Sequence, residues 1–156
     1  MQGIRALVAG IEPLLQRVDR ARFVQRGQHI FFALILTQAA HSVEEYLFRL
    51  YDVFAPARFI SGLVSNNLAL GFILANAALV SFGLWCYVAR VRVKHSHART
   101  WVWLWIVVEC ANGIGHLVIG LMRGAYFPGV FTAPVLLSLS ICLAARMCQK
   151  PRLAGC

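Results

Sequence analysis

A chain of 156 residues that is 60% hydrophobic and 13% charged does not have the makeup of a water-soluble domain, in which about a quarter of the residues carry charge. Its formal net charge of +9 does not signal nucleic-acid binding, because the basic residues fall in clusters between apolar segments and not in one patch. The composition is that of an integral membrane protein small enough to form one domain.

Taken in chain order, residues 1–27 read as a cytoplasmic segment without a cleavable signal peptide, since five arginines and the Gly10 and Pro13 breaks leave no uninterrupted apolar core. Within it Ile4, Leu7, Val8, Ile11, Leu14, Leu15 and Val18 recur at helical spacing opposite Arg5, Glu12, Arg17 and Arg20. That pattern predicts an amphipathic helix lying on the membrane interface, bent at Pro13.

Residues 28–148 read as an all-α, polytopic transmembrane four-helix bundle, each span near the ~20 residues that cross the hydrocarbon. The expected spans are His29–Leu50, Asn67–Ala89, Thr100–Met122 and Phe127–Ala145. Pro128 is expected in the first turn of the fourth span, and Pro134 should kink it. Trp101, Trp103 and Trp105 suggest an interfacial aromatic belt at the inner end of the third span. Gly71-x-x-x-Ala75, Ala111-x-x-x-Gly115 and Gly120-x-x-x-Gly124 are small-residue faces suited to close helix packing or an oligomer contact. Residues 149–156 form a cytoplasmic tail. The five cysteines have no paired spacing, which fits apolar packing and a reduced tail.

Orientation follows from Lys and Arg. The N-terminal segment has five, the loop after span two has four and the tail three, against only Arg49, Arg58 and Arg123 on the other side. Both termini are therefore expected in the cytoplasm. The Lys94-His95-Ser96-His97 stretch then forms a basic, lipid-facing loop.

Three carboxylates, Glu44, Glu45 and Glu109, fall within these spans, with no Lys or Arg in their middle. An ionised carboxylate at mid-membrane costs roughly 2.5–3.5 kcal/mol on insertion scales, so such residues mark functional sites by default. Helical spacing projects His41, Glu44 and Glu45 together, with Gln38 one turn earlier, and gathers Glu109, Asn112 and His116 into one stripe of span three. Counted from the inner ends, His41 matches Asn112 in depth and Glu45 matches His116. The two stripes should meet in the outer half, near Asn67, Asn76, Tyr126 and Thr132.

Something positive must neutralise this cluster. A divalent metal would do so, with His41, Glu44, Glu45, Glu109 and His116 as ligands, and a mixed His and carboxylate set suits Zn, Fe or Mn. The alternative is a metal-free acid–base site with a carboxyl kept in its neutral acid form. Catalytic roles fall to Glu44, Glu45, Glu109 and Tyr126, the last as proton donor. Substrate contacts fall to Asn67, Asn76, Asn112 and Thr132.

His41-x-x-Glu44-Glu45, Asn112-x-x-x-His116 and Tyr126-x-Pro128-Gly129-x-x-Thr132, in this order, resemble the HXXEE-domain proteins. These are small bacterial and archaeal membrane proteins without an established reaction. The resemblance spans about residues 29–146 and implies a prokaryotic inner-membrane location and a shared polar site. The expected function is a membrane enzyme, metal-dependent or acid–base, acting on a lipophilic or small substrate within the bilayer. Its rivals are a proton- or cation-coupled transporter, which needs a polar path through the inner half, and a structural assembly protein.

Overall fold

The computed structural model describes residues 27–149. The expected amphipathic helix and the C-terminal tail lie outside the described residues. Within them the chain is all-helical. Helix α1 spans 27–47. The chain then breaks at Arg49, whose φ of 56° is left-handed, and a single turn, α2 (Leu50–Val53), leads into α3 (Ala55–Val64). Helix α4 covers Leu68–Cys86 and continues into a π-helical turn at Tyr87–Arg92; α5 is Ala98–Arg123 and α6 is Ala133–Cys148.

Local chemistry explains most boundaries. The Asn67 side chain accepts the Leu70 N–H and caps α4. Helix α5 ends where Gly124 turns left-handed with φ 58°. Pro56 and Pro134 each lie in the first turn of their helices, where no hydrogen bond is lost. Pro134 therefore starts α6 and does not kink it. The fourth apolar segment is helical only from Ala133, because Phe127 to Thr132 form a loop folded back on the interior.

Among the described residues, α4 with its π-helical extension and α5 are long and apolar enough to cross a membrane, and α6 is a shorter apolar helix. Large apolar side chains cover the outside, with Leu121 and Met122 each 82% exposed and Leu63 and Phe131 each 71%.

The interior has two apolar packets with a polar layer between them. One packet joins Phe31, Leu34 and Ile35 of α1 to Val102, Trp105 and Ile106 of α5 and Leu136, Leu143 and Met147 of α6. Trp105 is thus a core residue and not part of an aromatic belt; its indole sits where any side chain on Gly83 would clash. The other packet gathers Leu50, Tyr51, Ala57, Phe72 and Phe127. Gly71 serves close approach, since a Cβ there would lie 2.1 Å from the Ser61 carbonyl oxygen, but the helix it admits is α3. Gly115 meets nothing within 4 Å.

Candidate metal centre

The polar layer holds Gln38, His41, Ser42, Glu44, Glu45, Glu109 and His116, all buried. One turn of α1 separates His41 from Glu45, so both face the same way, and α5 brings His116 against them. The Glu45 Oε1 atom lies 3.0 Å from His116 Nε2 and 3.4 Å from His41 Nε2. The rings stand edge-on, centroids 4.7 Å apart at 89°. The three ligand atoms all lie within 4.8 Å of one another. Tetrahedral coordination with bonds of ~2.0–2.1 Å separates ligand atoms by about 3.3 Å, so the spacing suits one ion.

The far side of each ring fixes its tautomer. His116 Nδ1 lies 2.7 Å from the Pro128 carbonyl oxygen, which can only accept, so Nδ1 carries the proton. His41 Nδ1 lies 2.6 Å from Thr132 Oγ1, and that hydroxyl donates its own proton to Glu44 Oε2, also at 2.6 Å. The hydroxyl oxygen therefore accepts from His41. Each neutral ring then turns its Nε2 lone pair toward Glu45, and a ring that takes up a second proton donates it to the same oxygen. His41 Nε2 is buried and has no hydrogen-bond partner. Metal-binding histidines typically donate the N–H of the second nitrogen to a carbonyl, a carboxylate or a water, and here the acceptors are the Pro128 carbonyl and the Thr132 hydroxyl.

The loop between α5 and α6 makes this possible. Glu44 accepts five hydrogen bonds from it: Tyr126 O–H at 2.8 Å, the Gly129 and Phe131 N–H groups at 3.1 Å, and the Thr132 N–H at 2.9 Å and hydroxyl at 2.6 Å. Gly129 packs against both imidazoles with φ 93°, where a Cβ would lie 2.6 Å from His116 Nδ1 and 2.7 Å from His41 Cε1.

Of the five expected ligands the structure thus gathers three, His41, Glu45 and His116. Glu44 faces the loop, because the neighbouring position on a helix is turned away by about 100°. Both its oxygens are occupied there, and it supports His41 through Thr132. Glu109 is fully buried with neither oxygen hydrogen-bonded, two turns before His116 and outside the triad. Tyr126 binds Glu44, and its phenol is held above the ordinary tyrosine range first by partial burial and then by that carboxylate. Thr132 orients His41. Asn67 caps α4 at the surface, away from the centre.

Asn76 and Asn112 do reach the interior. Asn112 Nδ2 donates to Gln38 Oε1 at 3.3 Å, Gln38 Nε2 to Ser42 Oγ at 3.2 Å, Ser42 to Asn76 Oδ1 at 2.8 Å, and Asn76 Nδ2 to the Phe72 carbonyl at 3.0 Å. This chain ties α5, α1 and α4 together beside a cavity of about 360 Å³ that is lined by Glu45, His116, Gln38, Asn76 and Asn112. Three contributors were not foreseen in these roles: Gly129, the Pro128 carbonyl and Ser42. The Pro-Gly pair carried a signal, since such a pair marks a turn even within an apolar stretch.

In comparisons with protein-family models, with curated proteins and with solved structures, nothing matched this chain.

Proposed function

We propose that this is a four-span prokaryotic inner-membrane protein of the HXXEE type, both termini cytoplasmic, that binds one divalent metal through His41, Glu45 and His116 and uses it for enzyme chemistry on a lipophilic or small substrate. The carrying observation is the convergence of His41 Nε2, His116 Nε2 and a Glu45 oxygen, with both Nδ1 atoms engaged on the far side of the rings. Two imidazole lone pairs and a carboxylate oxygen converge on one buried point. Three acceptors repel one another unless a cation or proton lies between them. Zn, Fe or Mn fits two nitrogens and one oxygen. Three protein ligands leave a coordination position for water or substrate, and the adjoining cavity is where it would open. The bilayer reading is supported by the apolar exterior, which far exceeds the patches that water-soluble monomers tolerate.

The metal-free version has a proton shared among the same three groups, with acid–base chemistry in place of Lewis-acid chemistry. A transporter is disfavoured by the packet of Phe31, Leu34, Ile35 and Trp105 that fills the layer below the site. An assembly protein has no use for a buried cluster of three metal-ligating side chains beside a cavity.

Elemental analysis of detergent-purified protein tests the proposal. About one equivalent of Zn, Fe or Mn is expected in the parent, none in His41→Ala or His116→Ala, and full content in Glu109→Gln. Because metal favours the native state, chelation should lower the melting temperature of the parent alone. Metal-free parent protein whose melting ignores chelators would overturn the metal reading and leave the proton-sharing one.

A further inference from the structure

We infer that the cavity beside the triad takes an amphiphile with one neutral oxygen-bearing head, an alcohol, carbonyl or ester, on an apolar tail, and that it enters sideways between α3 and α5. Where the head sits rests on the metal reading above. What the walls accept does not.

The floor of the cavity supplies neutral hydrogen-bonding groups. Gln38, Asn76 and Asn112 each commit one N–H to the chain of bonds crossing the helices, and a primary amide has two. Gln38 and Asn76 therefore each keep a second donor for an oxygen at the floor, with Ser61 at one edge. No Lys or Arg lines the cavity, and its only ionisable groups, Glu45 and His116, belong to the triad. In the metal-free protein a phosphate or free carboxylate head would find the triad's own carboxylate and no arginine or lysine lining the cavity, which disfavours an anion out of water. A neutral oxygen fits the amides and the open coordination position together.

The walls are apolar: Leu50, Phe54, Ala57 and Phe72. The lining residues that also reach the outside are Pro56 and Ile60 on α3 and Val108 on α5. Ile60 is 52% exposed and Val108 41%, and their outer neighbours Phe59, Leu63 and Val107 are more exposed still. The mouth thus opens through a surface with nothing to offer water. A molecule already dissolved in the bilayer reaches it by lateral diffusion, whereas a charged solute must cross apolar surface.

The test uses the full chain in lipid nanodiscs and a long-chain alcohol carrying a mid-chain diazirine. After irradiation, cross-links are mapped by peptide mass spectrometry. Labelling is expected on the wall around Phe54–Ser61 and on α5 near Val108, beyond a background on lipid-facing positions such as Leu121. With a chelator present, dodecanol should compete for the wall sites about tenfold better than dodecyl phosphate, because the metal-free cavity gives an anion no cation to pair with. Ala57→Trp fills the cavity and Ile60→Trp narrows its mouth. Both should remove wall labelling while leaving the Leu121 background, and metal content on the same samples checks the fold of each. Wall labelling that survives both substitutions, or equal competition by the phosphate, would overturn the inference. Metal-loaded protein without wall labelling would refute the cavity reading alone. Labelled walls in a protein that never holds metal would refute only the metal centre.

Discussion

Replacing Gly129 by alanine should abolish metal binding at the proposed centre. The added Cβ would start 2.6 Å from His116 Nδ1 and 2.7 Å from His41 Cε1, and ordinary contact begins at 3.4 Å, so an imidazole must retreat by about 0.8 Å. Metal sites tolerate errors of about 0.2 Å in ligand distance. The retreat therefore exceeds what coordination allows, and it also strains the 2.7 Å bond from His116 to Pro128. Holding alanine at φ 93° adds a backbone penalty of about 1–3 kcal/mol. The assay is metal content by elemental analysis together with thermal melting in detergent. Gly115→Ala is the control: that position has open space and lies within α5, so alanine there should be neutral or stabilise by about 0.5–1 kcal/mol. A Gly129→Ala protein with full metal content and an unshifted melting temperature would show that the two rings do not need the gap, and the reasoning fails.

Glu44→Gln should destabilise the protein by several kcal/mol, since an amide must turn a donor toward groups that are themselves donors and charged hydrogen bonds contribute about 1.5–3 kcal/mol each; chemical denaturation reads this out, and a loss below about 1 kcal/mol would refute the five-bond description. Tyr126→Phe should cost about 1–3 kcal/mol by the same reasoning yet retain metal, because the phenol lies outside the triad. The raised Tyr126 value means the folded state holds this proton more tightly than the unfolded chain, so its contribution is complete below its ordinary value of 10 and is lost as pH climbs through the raised one. Stability of the parent should accordingly fall more steeply above pH 10 than that of Tyr126→Phe, and parallel curves would contradict the assignment. External reporters near Ala55 should be accessible and the basic loop around Lys94 shielded; the reverse labelling would invert the proposed topology.

Apolar segmentation located α4 and α5 closely because each is one long apolar run with a local stop signal beside it, the Asn67 cap and the Gly124 turn. It failed at α6, where Phe127 to Thr132 are apolar enough to pass for a span yet fold inward to donate to Glu44. Hydropathy does not register a backbone whose N–H groups face a buried carboxylate. Helix α3 falls between the first two expected spans, where no element was expected, although Pro56 in a first turn followed by Phe59, Ile60, Leu63 and Val64 carries a helical signature. The pairing of Glu45 with His116 was visible from matched depth. The division of labour between Glu44 and Glu45 was not, because the donors that claim Glu44 begin 82 residues further along the chain. Adjacent identical residues give no sign of which partner each will meet.

That separation bears on how the chain enters the bilayer in the four-span reading. Helix α1 carries Glu44 and Glu45 through the translocation machinery long before Tyr126, Gly129, Phe131 and Thr132 exist to receive the first or His116 to meet the second. Each carboxylate then weighs against insertion by roughly 2.5–3.5 kcal/mol with no compensation. The leading helix is therefore a weak anchor during synthesis, and it gains a firm hold on its depth only when the α5–α6 hairpin emerges and supplies its donors. Ribosome-arrested chains ending before Tyr126 should leave α1 readily extracted from the membrane, and those extended past α6 should hold it fast.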